Sequence, residues 1–140
     1  MATITDLEKQ FYELYIATPP AAINDLKYAF FLAMLAGGAS FTPTIVTEAG
    51  TTRTLSAADG GTIIYCTSGS PVTITTAAGL GAGFNCTIIQ GGAGKVTVAQ
   101  GSSTTLVSYS GLLSTMGQYA VISLVTPVAN TFIAAGNLGV

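Results

Sequence analysis

The residues able to do chemistry are few, and their spacing narrows what that chemistry would be. The 140 residues contain no histidine, so the commonest general base and the commonest metal ligand are both missing. Cys66 and Cys86 do not form a Cys-x-x-Cys pair, and the scarce carboxylates do not complete a zinc ligand set around them. Both are read as reduced core thiols, on the inward faces that carry Ile64 and Ile88; a disulfide is the alternative if their strands are neighbours. Gly91-Gly92-Ala93-Gly94-Lys95-Val96 has the small residues and the lysine of a phosphate-cradling loop. Ile89 and Val96 stand where that loop needs Gly and Ser or Thr, and a strand follows instead of a helix. Gly79-Leu80-Gly81-Ala82-Gly83 is likewise read as a turn. Asn85-Cys86-Thr87 fits a glycosylation acceptor by pattern but falls in mid-strand. Among the carboxylates, Glu48 and Asp59 are the pair a glycosidase would need, but Asp59 sits where turns prefer Asp. Glu48 and Arg53 flank a glycine turn and are expected to form a surface ion pair worth well under about 1 kcal/mol. Tyr65, Tyr109 and Tyr119 are the aromatics available to a sugar-binding surface, with packing at the core edge the expected role. The residues therefore point to no enzyme, no cofactor and no metal site.

The elements that position these residues change character along the chain. From Thr44 onward apolar residues alternate with period two, and strands are expected near 44–47, 52–55, 62–67, 71–75, 84–90, 95–99, 104–108, 119–126 and 130–135. Turn signals separate them, among them Asp59-Gly60-Gly61, Ser68-Gly69-Ser70-Pro71 and Ala129-Asn130. At the centre lies 84–99, two β-branched runs joined by Gly91-Gly92-Ala93-Gly94, four small residues able to take positive φ. It is read as a hairpin that puts Cys86, Ile88, Val96 and Val98 into the core. Strands about ten residues apart with such punctuation indicate a mainly β fold, an antiparallel β-sandwich or barrel. No strict repeat of 20–50 residues is visible.

The N-terminal segment is different, since six of the ten charges precede residue 28. Thr5-Asp6-Leu7-Glu8 reads as a capping box. Leu7, Phe11, Leu14 and Tyr15 then form one apolar helical stripe that ends at Thr18-Pro19-Pro20. Asn24 caps a second helix carrying Leu26, Phe30, Phe31 and Met34, apolar nearly all round and stopped by Gly37-Gly38. The reading is two short α-helices over 1–40, serving attachment or oligomerisation, followed by a β domain over 41–140. Leu7, Phe11, Leu14, Tyr15, Leu26, Phe30, Phe31 and Met34 are the candidate interface. The first ten residues do not read as a secretory signal, and the apolar run 29–36 is far below the roughly 20 residues of a membrane helix. Charged residues make up 7% of the chain against about 25% in ordinary domains, with net charge −2. Four basic residues neutralise few phosphates, so nucleic acid is not an expected partner, nor is a membrane. Weak repulsion between copies favours assembly.

Leu55-Ser56-Ala57-Ala58-Asp59-Gly60-Gly61, Gly83-Phe84-Asn85-Cys86-Thr87-Ile88-Ile89-Gln90, Gly94-Lys95-Val96-Thr97-Val98 and Asn130-Thr131-Phe132-Ile133-Ala134-Ala135-Gly136 occur in that order. This series, over about residues 44–138, resembles a β-rich domain of virion accessory proteins of tailed bacteriophages, such as capsid decoration proteins and head or tail fibres. Those domains often carry Trp where this chain has Phe132. Ile23-Asn24-Asp25-Leu26-Lys27 is similar to leader segments of small phage structural proteins. The resemblance implies a structural virion protein, made in the host bacterial cytoplasm and added to a capsid as a cement or decoration protein, commonly as a homotrimer. Its partners would be itself and the major capsid protein or other virion proteins. A fibre or tail-tip adhesin binding a host glycan is the alternative it leaves open.

Overall fold

The structure, a computed structural model, describes residues 42–140, and its compact β unit spans Pro43–Val140. The helices expected over 1–40 lie outside the described residues, together with interface candidates Leu7, Phe11, Leu14, Tyr15, Leu26, Phe30, Phe31 and Met34. Eleven strands make up the unit: β1 (Ile45–Glu48), β2 (Thr52–Thr54), β3 (Ile63–Cys66), β4 (Val72–Thr75), β5 (Asn85–Gln90), β6 (Val96–Ala99), β7 (Thr105–Ser108), β8 (Ser114–Thr115), β9 (Val121–Val128), β10 (Thr131–Gly136) and β11 (Leu138–Gly139). A single 3-10 turn, Ala57–Asp59, separates β2 from β3. Each expected strand is present within a few residues, because alternation of apolar and polar side chains reports the pleat directly.

The way the strands pair differs from the antiparallel reading. One sheet, here sheet A, has the order β1-β3-β5-β9-β10-β7, and the other, sheet B, has the order β11-β8-β6-β4-β2. From β1 to β9 successive strands alternate between sheets. β1, β3 and β5 run parallel in sheet A, while β2, β4 and β6 run parallel in sheet B. The chain therefore winds as a coil that climbs by one strand per sheet per turn, a β-solenoid-like arrangement and not a sandwich of hairpins. The climb is regular where it is longest. Ile63 pairs with Thr87 and Ile64 with Ile88 in sheet A, while Val72 pairs with Val96 and Ile74 with Val98 in sheet B. The offset is the same in both sheets, 24 residues (87 minus 63, 96 minus 72). A short internal repeat thus exists, contrary to the sequence reading. The first coil hides it, since Ile45 pairs with Ile63 and Thr52 with Thr73, at unequal and shorter offsets.

The 84–99 stretch is consequently not a hairpin. β5 lies in sheet A and β6 in sheet B, and 91–94 is the corner between them. Positive φ is not why glycine stands there; the glycines with positive φ are Gly61, Gly79, Gly83, Gly111 and Gly136. The cause is proximity to the coil beneath. A Cβ at Gly92 would lie 2.2 Å from the Ser68 carbonyl oxygen, and one at Gly94 would lie 1.9 Å from that of Ser70. Backbone rests on backbone at this corner, and only glycine permits it.

Inside the coil, rows of identical register form the core. Ile64, Ile88 and Ile122 stack on the sheet A side, all fully buried, and Val72–Val96 and Ile74–Val98 stack on the sheet B side. Phe84 meets Phe132 edge to face, with ring centroids 6.2 Å apart. Reversal of chain direction ends the winding. β9 runs antiparallel to β5 and pairs with β10 in a hairpin through Ala129-Asn130, with Asn130 at φ 62. β8 runs antiparallel to β6 on the other sheet.

Candidate functional site

The outward rows of the two sheets are unlike. On sheet B, Thr52, Thr73, Thr97 and Ser114 stand in register, and the Thr97 and Ser114 hydroxyls lie 2.8 Å apart. On sheet A one outward row runs Val107, Ile133, Val125 and Asn85, and a second runs Thr47, Tyr65, Ile89 and Val121. Val107, Val125 and Ile133 are exposed, as is Ile45 on the edge strand. Between those rows run Ile63, Thr87, Ser123 and Ala135, mostly smaller side chains. A recess of about 320 Å³ opens beside Asn85, Thr87, Ser123, Val125 and Pro127. No charged residue projects from the centre of this six-stranded face. Only four charged residues occur in the whole β unit: Glu48, Arg53, Asp59 and Lys95. The apolar rows were not singled out from the sequence. The signal was there in adjacent apolar pairs, Leu106-Val107, Leu124-Val125 and Phe132-Ile133, because a strand apolar at both parities has both faces to cover.

Three of those four charges meet at the first coil. Glu48 and Arg53 occupy inward register positions, in line with Cys66 and Ile74 of the next coil. Arg53 donates to Glu48 Oε2 at 2.9 Å and to Asp59 Oδ1 at 2.5 Å. The expected Glu48–Arg53 pair is therefore present, but it is partly buried and joined by Asp59, whose side chain is only 2% exposed. Asp59 Oδ2 also accepts from the Ser56 backbone N–H at 2.9 Å, and Glu48 Oε1 accepts from Gly50 N–H at 2.7 Å. The Arg53 hydrogen bond, then that from Gly50, holds the Glu48 carboxyl below its ordinary pKa, while the two carboxylates raise that of Arg53. Both Glu48 and Asp59 are thus committed to Arg53, at the ends of the two sheets where β1 and β2 lie.

The cysteines are free and buried. Cys86 pairs in register with Leu124, and Cys66 with Gln90. Burial pushes the Cys66 thiol up to about 11 and the Cys86 thiol up to about 12, away from the range of a nucleophile. Gln90 is a buried polar pin. Its amide nitrogen donates to the carbonyls of Gly92 and Ala93, and its amide oxygen accepts from the Thr115 hydroxyl. Its backbone C=O accepts from Tyr119 N–H at 2.7 Å and its N–H donates to Ala120 C=O at 3.1 Å. These bonds hold Tyr119 at φ 68, a left-handed conformation costing a bulky residue about 1–2 kcal/mol. The side chain recovers little of that cost by packing, for Tyr119 is 70% exposed. It borders an open recess of about 250 Å³ with Met116, Gly117, Gln118, Ala120 and Asn137. Tyr109 is fully exposed and Tyr65 lies with its ring over Gly91.

Among the described residues, no three His, Cys, Asp or Glu side chains come together as a metal set, and no helix is long and apolar enough to cross a membrane. What this part of the molecule offers is surface: one apolar face, one hydroxyl face and a shallow aromatic recess on a short solenoid. No known protein family matches the chain, and no curated protein is similar enough to count as a relative.

Proposed function

We propose that this protein is a structural virion component that decorates a capsid, binding the phage head surface and stabilising it. The carrying observation is the uncharged apolar outer face of sheet A, with Val107, Ile133 and Val125 in one exposed row. Exposed apolar patches above a few hundred Å² mark surfaces that are covered by a partner. Six strands about 4.8 Å apart, each about 15–20 Å long, make a whole face on the order of 450 Å², of which the apolar rows on either side of Thr87 and Ser123 are a part. A specific interface takes about 800 Å² from each side, so the face needs adjoining surface to seat a partner firmly. Burial at about 25 cal/mol per Å² then supplies several kcal/mol per copy before association costs. The phage-like motif series supports the same reading, and copies of this chain, commonly three, would form the decorating unit.

The test is addition of purified protein to capsids that lack it. Stoichiometric uptake and a higher rupture temperature are expected, and removal of residues 1–38 should cost attachment or the oligomer while the β unit stays folded. Uptake at a few copies confined to tail tips would replace this reading with that of an adhesin.

A further inference from the structure

We infer that the recess beside Tyr119 is a binding site for a neutral saccharide unit, whatever larger particle the chain belongs to. Tyr119 is the starting point, because a bulky residue held in the left-handed region without packing in return marks a position kept for something other than the fold. Gly would take the same turn at no steric cost, and Asn at less cost than a bulky aromatic. The exposed ring offers the flat apolar surface against which the C–H face of a pyranose stacks, and the exposed Met116 side chain extends that surface.

Hydrogen bonding in the recess complements this platform. Gln118 Nε2 donates to the Gly91 carbonyl at 2.8 Å, which fixes the orientation of that amide and leaves its oxygen as an acceptor. Asn137 Oδ1 accepts from Val121 N–H at 3.2 Å, which fixes the second amide and leaves its NH₂ as a donor. Among the described residues, neither remaining group makes another hydrogen bond. One fixed acceptor and one fixed donor beside an aromatic ring match a pair of neighbouring hydroxyls, each of which both donates and accepts. None of the six lining residues is charged. Phosphorylated or carboxylated ligands would find no counter-charge there, so the chemistry selects an uncharged sugar.

The experiment is amide-resolved NMR titration of the full chain with methyl glucoside, methyl galactoside, methyl mannoside and N-acetylglucosamine, beside glucuronic acid. Concentrations on the order of 10 mM fill a site with Kd near 1 mM. At least one neutral sugar is expected to shift the amide signals of Gly117, Gln118, Tyr119 and Asn137 in a saturable way. Tyr119→Asn keeps the turn and removes the ring, and it should weaken binding at least tenfold while the remaining spectrum is preserved. Tyr109→Ala should leave binding unchanged. The inference is overturned if no neutral sugar shifts these signals, if only glucuronic acid does, or if Tyr119→Asn binds as tightly as the parent. Capsid attachment is a separate readout, so Tyr119→Asn particles that retain the protein show the two readings to be independent.

Discussion

On sheet B the outward row is Thr52, Thr73, Thr97 and Ser114; on sheet A the matching rows are Tyr65, Ile89, Val121 and Val125, Ile133, Val107. Parallel coils begin both rows, and the strands after the reversal, β8 on sheet B and β9, β10 and β7 on sheet A, complete them. Threonine satisfies β-propensity and leaves a hydroxyl for water, so the sheet B face is finished as it stands. Valine and isoleucine satisfy the same propensity and leave apolar surface in water, and the proposed function assigns that sheet A face to a partner. Uncharged strands can thus be equally stable as strands and opposite as surfaces.

The most severe way to break the comparison is to separate the coils. Gly94→Ala places a methyl group 1.9 Å from the Ser70 carbonyl oxygen, which must force the corner apart. We expect a loss of about 3 kcal/mol or more in chemical denaturation, with both faces lost together. A loss below about 1 kcal/mol would mean the corner is compliant and the stacking account is wrong. Next in size is Arg53→Met, which leaves Asp59 buried without its cation at a cost of about 3 kcal/mol, partly recovered by adding Asp59→Asn. The pH dependence follows with it. Because Arg53 depresses the Glu48 pKa, that pair stabilises the fold above the ordinary carboxylate range and loses its contribution as pH falls through the depressed value. Arg53→Met should flatten this acid limb of the stability curve.

Smaller in stability, but sharper for the two faces, is a matched pair of charges. Ile133→Lys and Thr97→Lys should each change folding stability by no more than about 1 kcal/mol. Light scattering and capsid binding should separate them, with association lost in Ile133→Lys and retained in Thr97→Lys. Equal behaviour of the two variants would remove the functional distinction between the sheets. Least visible at neutral pH are the interior thiols. Their pKa values are raised by burial, so unfolding releases protons once pH exceeds about 9, and stability falls by up to about 1.4 kcal/mol per pH unit for each thiol. Cys86→Ala should reduce that alkaline slope, and thiol reagents should label the native protein far more slowly than the unfolded one.

Strand positions were legible in the sequence because burial alternates along 84–90 and 95–99 whichever way the chain turns next. Direction was not, for the same reason: Cys86 and Ile88 point inward in a hairpin and in a coil alike. The only sequence trace of winding is the match of Ile63-Ile64 with Thr87-Ile88 and of Val72-Thr73-Ile74 with Val96-Thr97-Val98, too short to stand out beside an irregular first coil. Glu48 and Arg53 were legible as partners from their spacing across a turn. The burial of Asp59 was not, since it comes from the 3-10 turn carrying its carboxylate beneath Arg53. Tyr119 was legible as an aromatic, while its φ depends on the distant Gln90, which no local pattern announces.

The glycine corner also has a consequence in time. Surface connections normally give up their amide protons to solvent quickly, since nothing holds them closed. Here the N–H groups of Gly91 and Gly92 both reach the Cys66 carbonyl and that of Gly94 reaches the Ser68 carbonyl, all within 3.0 Å, one coil below. Their exchange has to wait for two coils to part. In deuterated water the amides of Gly91, Gly92 and Gly94 should therefore persist as long as those of Ile88 and Val98, giving a loop the clock of a core strand.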